Sequence, residues 1–280
     1  MKVLITGASG QLGRELQKYL KEINIRFMAY DSDDMNILNK EKINQRFKED
    51  KPTVVFHCAA YTAVDKAEEE KEINWSVNVD GTRNVAEMCK RYNLPLIYIS
   101  TDYIFDGQTN DEFKVDSKAN PLNEYGKAKL AGEHIVEETL EEYYIIRTSW
   151  VYGEFGNNFV YTMKKLALSH NELTVISDQI GRPTWTRTLA EFMLYLVMTS
   201  QEYGCYHLSN DGTSSWYTFA KEILKEDNIS IKPIESENYP QKAERPKHSV
   251  LDLSKTRATG FKIPHWKDAL NEFMLNDKIL

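Results

Sequence analysis

The sequence predicts an α/β fold in which a doubly wound parallel sheet is followed by a smaller α/β region. Two observations support this prediction. Strand and helix patterns alternate through residues 1–150, and the strand patterns are short, nearly continuous apolar runs. Runs of this kind are typical of strands that helices cover on both faces of a parallel sheet.

The N-terminal elements follow from these runs and from the spacing of apolar residues between them. Strands are expected at residues 3–6, 25–30, 54–57, 96–100 and 144–147. Helices are expected at residues 14–21, 40–48, 66–92 and 127–141, where apolar side chains recur at helical spacing. Strands separated by helices in this way indicate a parallel sheet rather than a series of hairpins.

After residue 150 the alternation is looser. Helices are expected at residues 157–170, 188–200 and 215–226, with short extended segments at 173–176, 206–208 and 231–234. Four of the prolines fall within the last fifty residues, which is typical of a smaller, loop-rich region. We therefore expect a first domain at residues 1–150, which also receives part of 185–215, and a second region at residues 151–280.

Composition excludes several classes of protein. The chain has 280 residues, of which 41% are hydrophobic and 28% charged, as in globular proteins. A net charge of −7 argues against nucleic acid or an anionic membrane as the main partner. No apolar run approaches membrane-spanning length, and the N-terminal apolar run lacks the basic flank of a signal peptide. Cys58, Cys89 and Cys205 are widely spaced and outside any metal-ligand pattern, so we expect reduced thiols in a cytoplasmic protein.

A glycine-rich turn joins the first strand to the first helix. Its glycines are Gly7, Gly10 and Gly13, a GxxGxxG pattern. Glycine lets the backbone approach a phosphate closely, and the helix N-terminus offers free N–H groups and a positive dipole end. Asp31 follows the second apolar run, about twenty residues after this turn, where a ribose hydroxyl is held in such folds. Residues 1–150 are thus predicted to form a Rossmann-like dinucleotide-binding domain.

The catalytic candidates are Tyr125 and Lys129. Four residues apart on a helix, their side chains lie on one face, and an ammonium beside a phenol is expected to lower the phenol's pKa toward neutrality. Tyrosine–lysine pairs at 161/165 and 217/221 have the same spacing. Only Tyr125 follows the fourth strand, and ligands bind outside the carboxyl ends of such strands. The two later pairs are therefore interpreted as ordinary neighbours on a helix face.

The end of the fourth strand carries two further candidates. Thr101 is placed to hydrogen-bond a substrate carbonyl and to orient Tyr125; alternatively, it only caps the turn after the strand. Asp102 either helps to hold substrate or only stabilises the same turn.

Together these features resemble the extended short-chain dehydrogenases/reductases. Longer runs narrow the resemblance to the dTDP-4-dehydrorhamnose reductase family: AAYTAVDKAE (59–68), STDYIFDG (100–107), PLNEYG (121–126) and RTSWVYG (147–153). The resemblance continues through GNNF (156–159) and SDQ (177–179) to Arg245-Pro246, so it covers essentially the whole chain.

The resemblance implies a reaction. Reduced nicotinamide would deliver hydride to C4 of dTDP-4-dehydro-6-deoxy-L-mannose, and Tyr125 would donate a proton to the carbonyl oxygen, with Lys129 and Thr101 positioning it. Residues 151–280 would then mainly bind substrate. The residues implied to bind the cofactor are Gly7, Gly10, Gln11, Leu12, Gly13, Asp31, Asp34, Met35, Ala59, Ala60, Tyr61, Tyr125 and Lys129.

The resemblance also implies substrate contacts. Thr101 and Asp102 would lie at the sugar, and Trp150 would offer an apolar face to the deoxysugar, unless it is a core residue between the two regions. Asn158 and Arg245 are further candidates for the nucleotide diphosphate, where an arginine fork suits phosphate oxygens.

Cofactor choice stays open between NADPH and NADH. Asp31 favours a free 2′-hydroxyl and hence NADH, whereas Arg14 could receive the 2′-phosphate of NADPH.

Some members of the family dimerise through glutamates that hold magnesium. Here Glu15 is present, but Arg187 falls where the second glutamate would be. We therefore expect no metal-bridged dimer and no bound metal, and a monomer or weak homodimer.

Two alternatives remain on sequence grounds. One is a sister nucleotide-sugar 4-ketoreductase or an epimerase; a dehydratase is disfavoured because Tyr103, not a glutamate, follows Asp102. The other is a non-catalytic regulatory subunit of the methionine adenosyltransferase type. The intact set of Thr101, Tyr125 and Lys129 argues against that second alternative.

Overall fold

The structure is a computed structural model that describes residues 1–276. The last four residues of the region predicted at 151–280 lie outside this range. Within it, no helix combines the length and the apolar character needed to cross a membrane.

The strands of the described chain are β1 (Lys2–Thr6), β2 (Arg26–Tyr30), β3 (Val54–His57), β4 (Leu96–Thr101), β5 (Tyr143–Thr148), β6 (Val151–Tyr152), β7 (Glu172–Ile176), β8 (Ile180–Gly181), β9 (Thr184–Trp185), β10 (Gly204–His207), β11 (Ser214–Ser215) and β12 (Ser230–Ile234). The helices are α1 (Gln11–Glu22), α2 (Ser32–Met35), α3 (Lys40–Asp50), α4 (Val64–Ala67), α5 (Lys71–Trp75), α6 (Thr82–Tyr92), α7 (Glu124–Thr139), α8 (Phe159–Ala167), α9 (Thr186–Met198), α10 (Trp216–Ile223), α11 (Ser254–Ala258) and α12 (Trp266–Asn276).

Six strands form one parallel sheet in the order β10-β5-β4-β3-β1-β2. The chain starts at β1, moves outward to β2, and then returns to the other side of β1 to continue through β3, β4 and β5. The reversal of direction beside β1 creates a crevice at the carboxyl ends of the strands. The predicted doubly wound α/β fold is confirmed.

Both faces of this sheet are buried. Leu4, Val55 and Tyr98 belong to a core shared with α3, α6 and α7. Val3 and Ile5, their neighbours in β1, belong to a second core shared with α1 and α9. This alternation explains why the strand sequences are apolar throughout, since each side chain meets a helix layer on one face or the other.

The predicted helix at 66–92 is wrong as a single element. The segment consists of α4, α5, a six-residue π-helical segment at Ser76–Gly81, and α6. Asn74 and Asn78 are fully buried in this segment and hydrogen-bond to each other, with Asn78 Nδ2 donating to Asn74 Oδ1 at 2.8 Å. Periodicity shows where apolar residues recur, but it does not show that two amides are directed at neighbouring loops.

The C-terminal region has its own core. Tyr152, Phe219, Trp266 and Phe273 are buried together, below the parallel pair formed by β7 and β12. The predicted elements at 157–170, 215–226 and 231–234 are present with shorter or shifted ends. Helices α11 and α12 were not predicted, because the surrounding prolines indicated loops.

Helix α9 crosses from this region to pack on α1. Arg187 Nε donates to the Glu15 carboxylate at 2.6 Å, and Arg187 also pairs with Glu22. Glu15 lies in the second turn of α1 and is fully buried. Burial raises the pKa of Glu15, and Arg187 opposes this effect.

Candidate active site

The glycine-rich turn is tightly packed between β1 and α1. Gly7 has a φ of +68°, and a Cβ there would lie 2.7 Å from the backbone nitrogen of Ala59. A Cβ at Gly13 would lie 2.1 Å from the carbonyl oxygen of Gly7. Gly10 is the N-cap of α1 and offers no side chain to cap the helix. The first N–H groups of α1 therefore remain available to an anion.

A cavity of about 420 Å³ opens above the carboxyl ends of the central strands. Predicted site residues that line it are Gly10, Gln11, Leu12, Gly13, Ala60, Thr101, Asp102, Tyr125, Lys129 and Trp150. The structure thus places the glycine-rich turn and the Thr101–Tyr125–Lys129 set around one space.

Other predicted residues lie outside this lining: Gly7, Asp31, Asp34, Met35, Ala59, Tyr61, Asn158 and Arg245. Met35, the last residue of α2, is 1% exposed and belongs to the core that α3, α6 and α7 share with the sheet. Asp31 Oδ1 accepts hydrogen bonds from the Ser9 backbone N–H at 2.9 Å and from Ser9 Oγ at 3.0 Å. Arg14 lies over the ring of Phe155, 4.3 Å from its centroid.

Asn158 uses its amide within the protein. Its Oδ1 accepts from the N–H of Tyr161 as the N-cap of α8, and its Nδ2 donates to the carbonyl of Gly153 at 2.8 Å and to Gln11 Oε1 at 3.2 Å. Its role toward a diphosphate stays a prediction.

Tyr125 is the second residue of α7. Asn123 caps this helix by accepting from the N–H of Gly126 at 2.8 Å. Burial raises the pKa of Tyr125, and the Asp102 carboxylate raises it further, while a hydrogen bond with Thr101 opposes both effects. The prediction that Lys129 brings this pKa toward neutrality is therefore wrong for this structure, because desolvation dominates. The phenol is protonated at neutral pH, which is the form a proton donor needs.

Lys129 lies one turn further along α7 and is 2% exposed. Its Nζ is 3.9 Å from the centroid of the Tyr98 ring. Burial lowers the pKa of Lys129 to about 7, although Glu133 acts in the opposite direction. Its charge therefore changes close to neutral pH.

Thr101 and Asp102 occupy the end of β4. Thr101 Oγ1 accepts from the N–H of Tyr103 at 3.2 Å and donates to Asp102 Oδ1 at 3.1 Å. Thr101 thus caps the turn and also contacts Tyr125. Asp102 is 2% exposed, and its Oδ2 has no hydrogen bond of good geometry within the described residues. Burial raises the pKa of Asp102 to about 7, against the opposing effect of the Ser249 and Thr101 hydroxyls.

Sequence reasoning missed several cavity residues. Thr148 ends β5 and Ser149 follows it directly, and their position at the carboxyl edge of the sheet was a usable signal. His57 lines the cavity, but its ring nitrogens contact Thr6 Oγ1 at 2.7 Å and Thr82 Oγ1 at 3.2 Å. Burial lowers the pKa of His57 to about 3, so it is a buried neutral residue rather than a base. Trp216 comes from α10, for which no motif gave a signal.

Trp150 has a left-handed backbone conformation, with a φ of +48°. Its ring stacks on that of Trp216, with centroids 3.7 Å apart and planes 10° apart. One of the two faces of Trp150 is therefore covered by Trp216.

A second cleft, of about 400 Å³, adjoins the cavity and is lined by Trp216, Phe159, Tyr239, Gln241 and Arg245 among others. Arg245 donates from both terminal nitrogens to the Asp65 carboxylate, at 3.1 and 2.7 Å. In the part of the chain that is described, no group of three or more acidic, histidine or cysteine side chains is arranged to hold a metal ion.

Comparison with known proteins agrees with this geometry. A family model described as "RmlD substrate binding domain" matches residues 1–278. The chain is 40% identical, over 98% of its length and 96% of the relative's, to spore coat polysaccharide biosynthesis protein SpsK of Bacillus subtilis (strain 168). It is 39% identical, over 96% of its length and 97% of the relative's, to dTDP-4-dehydrorhamnose reductase of Aggregatibacter actinomycetemcomitans.

The fold of the chain is also similar to that of a solved structure. The crystal structure of dTDP-4-dehydrorhamnose reductase from Bacillus anthracis in complex with NADP aligns with a TM-score of 0.95 at 39% identity. The alignment covers 98% of this chain and 99% of that one.

Proposed function

This chain belongs to the RmlD substrate binding domain family, and we propose on that premise that it reduces the C4 carbonyl of dTDP-4-dehydro-6-deoxy-L-mannose with NAD(P)H. The product is dTDP-L-rhamnose, and the setting is nucleotide-sugar and cell-surface polysaccharide synthesis in the cytoplasm. The observation that carries the proposal is the single cavity shared by the glycine-rich turn, Thr101, Tyr125 and Lys129.

The residues present fit a nicotinamide dinucleotide. The N-terminus of α1 lines the cavity, and Cβ atoms at Gly7 and Gly13 would fill the turn that packs against it. Backbone N–H groups there would hold the pyrophosphate. When bound, the reduced cofactor supplies the hydride that reaches C4 of the sugar.

Tyr125 donates the proton that the carbonyl oxygen needs. Its phenol is protonated at neutral pH because burial and Asp102 raise its pKa. Thr101, hydrogen-bonded to Tyr125, helps to fix the direction of the phenol. To donate to the same carbonyl oxygen, its single O–H would turn away from Asp102 Oδ1. A positioned donor of this kind contributes about 10²–10⁴-fold to the rate.

Lys129 stabilises the deprotonated form of Tyr125. In its ammonium form it favours the phenolate that remains after proton transfer. Because burial lowers the pKa of Lys129 to about 7, this stabilisation weakens as the pH rises above neutrality.

The nucleotide end of the substrate is proposed to occupy the adjoining cleft. Arg245 lies there with its guanidinium directed at a carboxylate, and the same fork geometry suits phosphate oxygens. The sugar then reaches Tyr125 from the side of Trp150. We propose that the dTDP-sugar spans both spaces, which share Trp216.

The choice between NADPH and NADH is a separate question from the reaction itself. The relative from Bacillus anthracis binds NADP, whereas Asp31, held by Ser9 near the ribose position, favours NADH. We propose that both cofactors serve, with NADPH preferred, as a monomer or weak homodimer without a bridging metal.

Reduced-nicotinamide absorbance tests the proposal. Purified protein with NADPH or NADH and enzymatically made dTDP-4-dehydro-6-deoxy-L-mannose is expected to oxidise one cofactor for each dTDP-L-rhamnose formed. Oxidation that does not depend on the sugar, or conversion of a sugar without net oxidation, would contradict a reductase and favour an epimerase. The ratio of kcat/KM for the two cofactors ranks them in the same experiment.

A further inference from the structure

We propose that Trp216 is a positioning residue for the sugar nucleotide, at the junction of the catalytic cavity and the adjoining cleft. The inference rests on the proposed function, since it needs a substrate that spans both spaces. Trp216 lies in none of the sequence motifs that indicate the reaction.

Trp216 is the one described residue that lines both spaces. On one side are Tyr125, Thr101 and Trp150, and on the other are Arg245 and Phe159. A ligand with its carbonyl at Tyr125 and its phosphates at Arg245 must therefore pass the Trp216 indole.

Trp216 also fixes Trp150. The parallel rings, 3.7 Å apart at 10°, leave Trp150 little freedom to rotate on that side. Trp150 is held in the left-handed region at a φ of +48°, a conformation that a bulky residue adopts only when its surroundings impose it. A Cβ at Gly181 would lie 2.7 Å from Trp150 Cε2, so Gly181 contacts the same ring.

The elements that carry these contacts are joined. Strand β8 contains Gly181, and it pairs antiparallel with β11 through Ser214↔Gly181 and Ser215↔Ile180. Ser215 then caps α10 by accepting from the N–H of Thr218 at 3.0 Å, which sets Trp216 at the first position of the helix. On its other side Trp216 meets the Phe159 ring at 4.6 Å.

Two consequences follow for the substrate. The sugar cannot stack on the covered face of Trp150, so it meets the remaining surface of an indole whose position Trp216 determines. The link between sugar and nucleotide runs along Trp216 itself. Loss of the indole is therefore expected to weaken binding of the sugar nucleotide and leave the cofactor site, formed by α1, unchanged.

Steady-state kinetics on three variants test this inference. Trp216→Ala is expected to raise KM for dTDP-4-dehydro-6-deoxy-L-mannose at least about tenfold, while KM for NADPH stays within about twofold. Trp216→Phe keeps an aromatic ring against Trp150 and is expected to recover most of the affinity. Tyr217→Ala removes the next aromatic side chain of α10, which lines neither space, and is the control for damage to the helix.

The outcomes separate the two proposals. Turnover by the native protein together with an unchanged KM for the sugar in Trp216→Ala would overturn the role of Trp216 alone. Equal losses in Trp216→Ala, Trp216→Phe and Tyr217→Ala would also overturn it, because they would reflect the fold of α10. No turnover by folded native protein would overturn the proposed function, and this inference with it.

Discussion

At the scale of single residues, burial decides the protonation states in the cavity. Lys129 and Asp102 are buried and Tyr125 is partly buried, and desolvation is the largest cause of the pKa shift in each. The result is a protonated phenol beside a lysine and an aspartate that both titrate near pH 7. Such perturbed groups in a cleft are typical of active sites.

Tyr125→Phe is expected to abolish most turnover. The variant lacks the proton donor but keeps the ring that packs edge-on against Tyr103, 6.2 Å away. We expect kcat to fall by about 10²–10⁴-fold with NADPH affinity unchanged. Rapid-mix turnover and a fluorescence titration of NADPH measure the two quantities, and a near-native kcat would remove Tyr125 from the mechanism.

Asp102 makes a contribution to the free energy of unfolding that decreases as pH rises. Its pKa is about 7 in the folded state and 3.8 when unperturbed, so between these values only the folded protein keeps the proton. The contribution of Asp102 to the free energy of unfolding therefore falls as pH rises from about 4 to about 7, by up to about 4 kcal/mol. Asp102→Asn carries no charge at either pH and removes this loss.

Urea unfolding of native protein and Asp102→Asn at about pH 5 and about pH 7 checks the prediction. The variant is expected to gain stability relative to native protein at the higher pH. Lys129 contributes in the opposite sense above about pH 7, where the folded state has already lost its proton, and it does so equally in both proteins. A gain that is the same at both pH values would contradict the assignment.

At the scale of elements, a buried amide bridge connects the loop after β3, which contains Tyr61, to helix α7, which carries Tyr125 and Lys129. Asn78 Oδ1 accepts from the N–H of Tyr61 at 3.1 Å, and its Nδ2 donates to the carbonyl of Tyr61 at 3.0 Å and to Asn74. Asn74 Nδ2 donates to the carbonyl of Glu124, the residue before Tyr125, at 2.9 Å. Asn78 lies in the π-helical segment and Asn74 in α5 just before it, and π-helical segments occur frequently at functional sites.

Asn78→Ala is expected to reduce both stability and catalysis. Buried groups of Tyr61 and Asn74 lose their partner, which costs about 1–3 kcal/mol, and we expect kcat/KM for NADPH to fall several-fold. Asn84→Ala is the matched control, because Asn84 is also buried but donates to the carbonyl of Ile37, away from the cavity. Equal kinetic losses in both variants would show that general destabilisation, not the bridge, is responsible.

The elements also show what the sequence could predict. The central strands were found because a strand buried on both faces is apolar throughout, and the first helices because their apolar spacing is regular. The π-helical segment was missed because Asn74 and Asn78 look like surface residues until their loop partners are known. Helix α12 was missed because its core position depends on contacts of Trp266 and Phe273 with distant segments.

The site, like the fold, could be predicted only in part. Residues that directly follow a sheet strand, such as Thr101, are placed by topology alone. Trp216 and Arg245 enter from the C-terminal region, and their position depends on how that region packs. Protonation states were not predictable either, because the depth of burial that raises the pKa of Tyr125 is a property of the folded chain.

At the scale of the whole molecule, a buried ion pair joins two helices that are far apart in the sequence. Arg187 on α9 meets Glu15 on α1 at 2.6 Å, and the Glu15 side chain is fully buried. Arg187→Ala leaves this carboxylate without its cation, and removing one partner of a buried pair costs about 3 kcal/mol or more. Lys232→Ala breaks a pair with Glu172 in which both side chains are about half exposed, and it is expected to change stability by under about 1 kcal/mol.

Thermal or urea unfolding of the two variants checks this comparison. The loss in Arg187→Ala is expected to shrink at acid pH, because burial already raises the pKa of Glu15 and the isolated carboxyl then takes up a proton. A loss no larger than that of Lys232→Ala would show that the pair does not hold α9 to α1.

The molecule as a whole is an NAD(P)H-dependent reductase, and we propose that residues from both its N-terminal and its C-terminal regions bind the substrate. The measurement that tests this account most directly uses NADPH in which both hydrogens at C4 of the nicotinamide are replaced by deuterium, with the dTDP-4-keto sugar as substrate. NMR of the product is expected to show dTDP-L-rhamnose with deuterium at C4 of the sugar. A product without deuterium at that carbon, or no product from folded protein that binds NADPH, would contradict it.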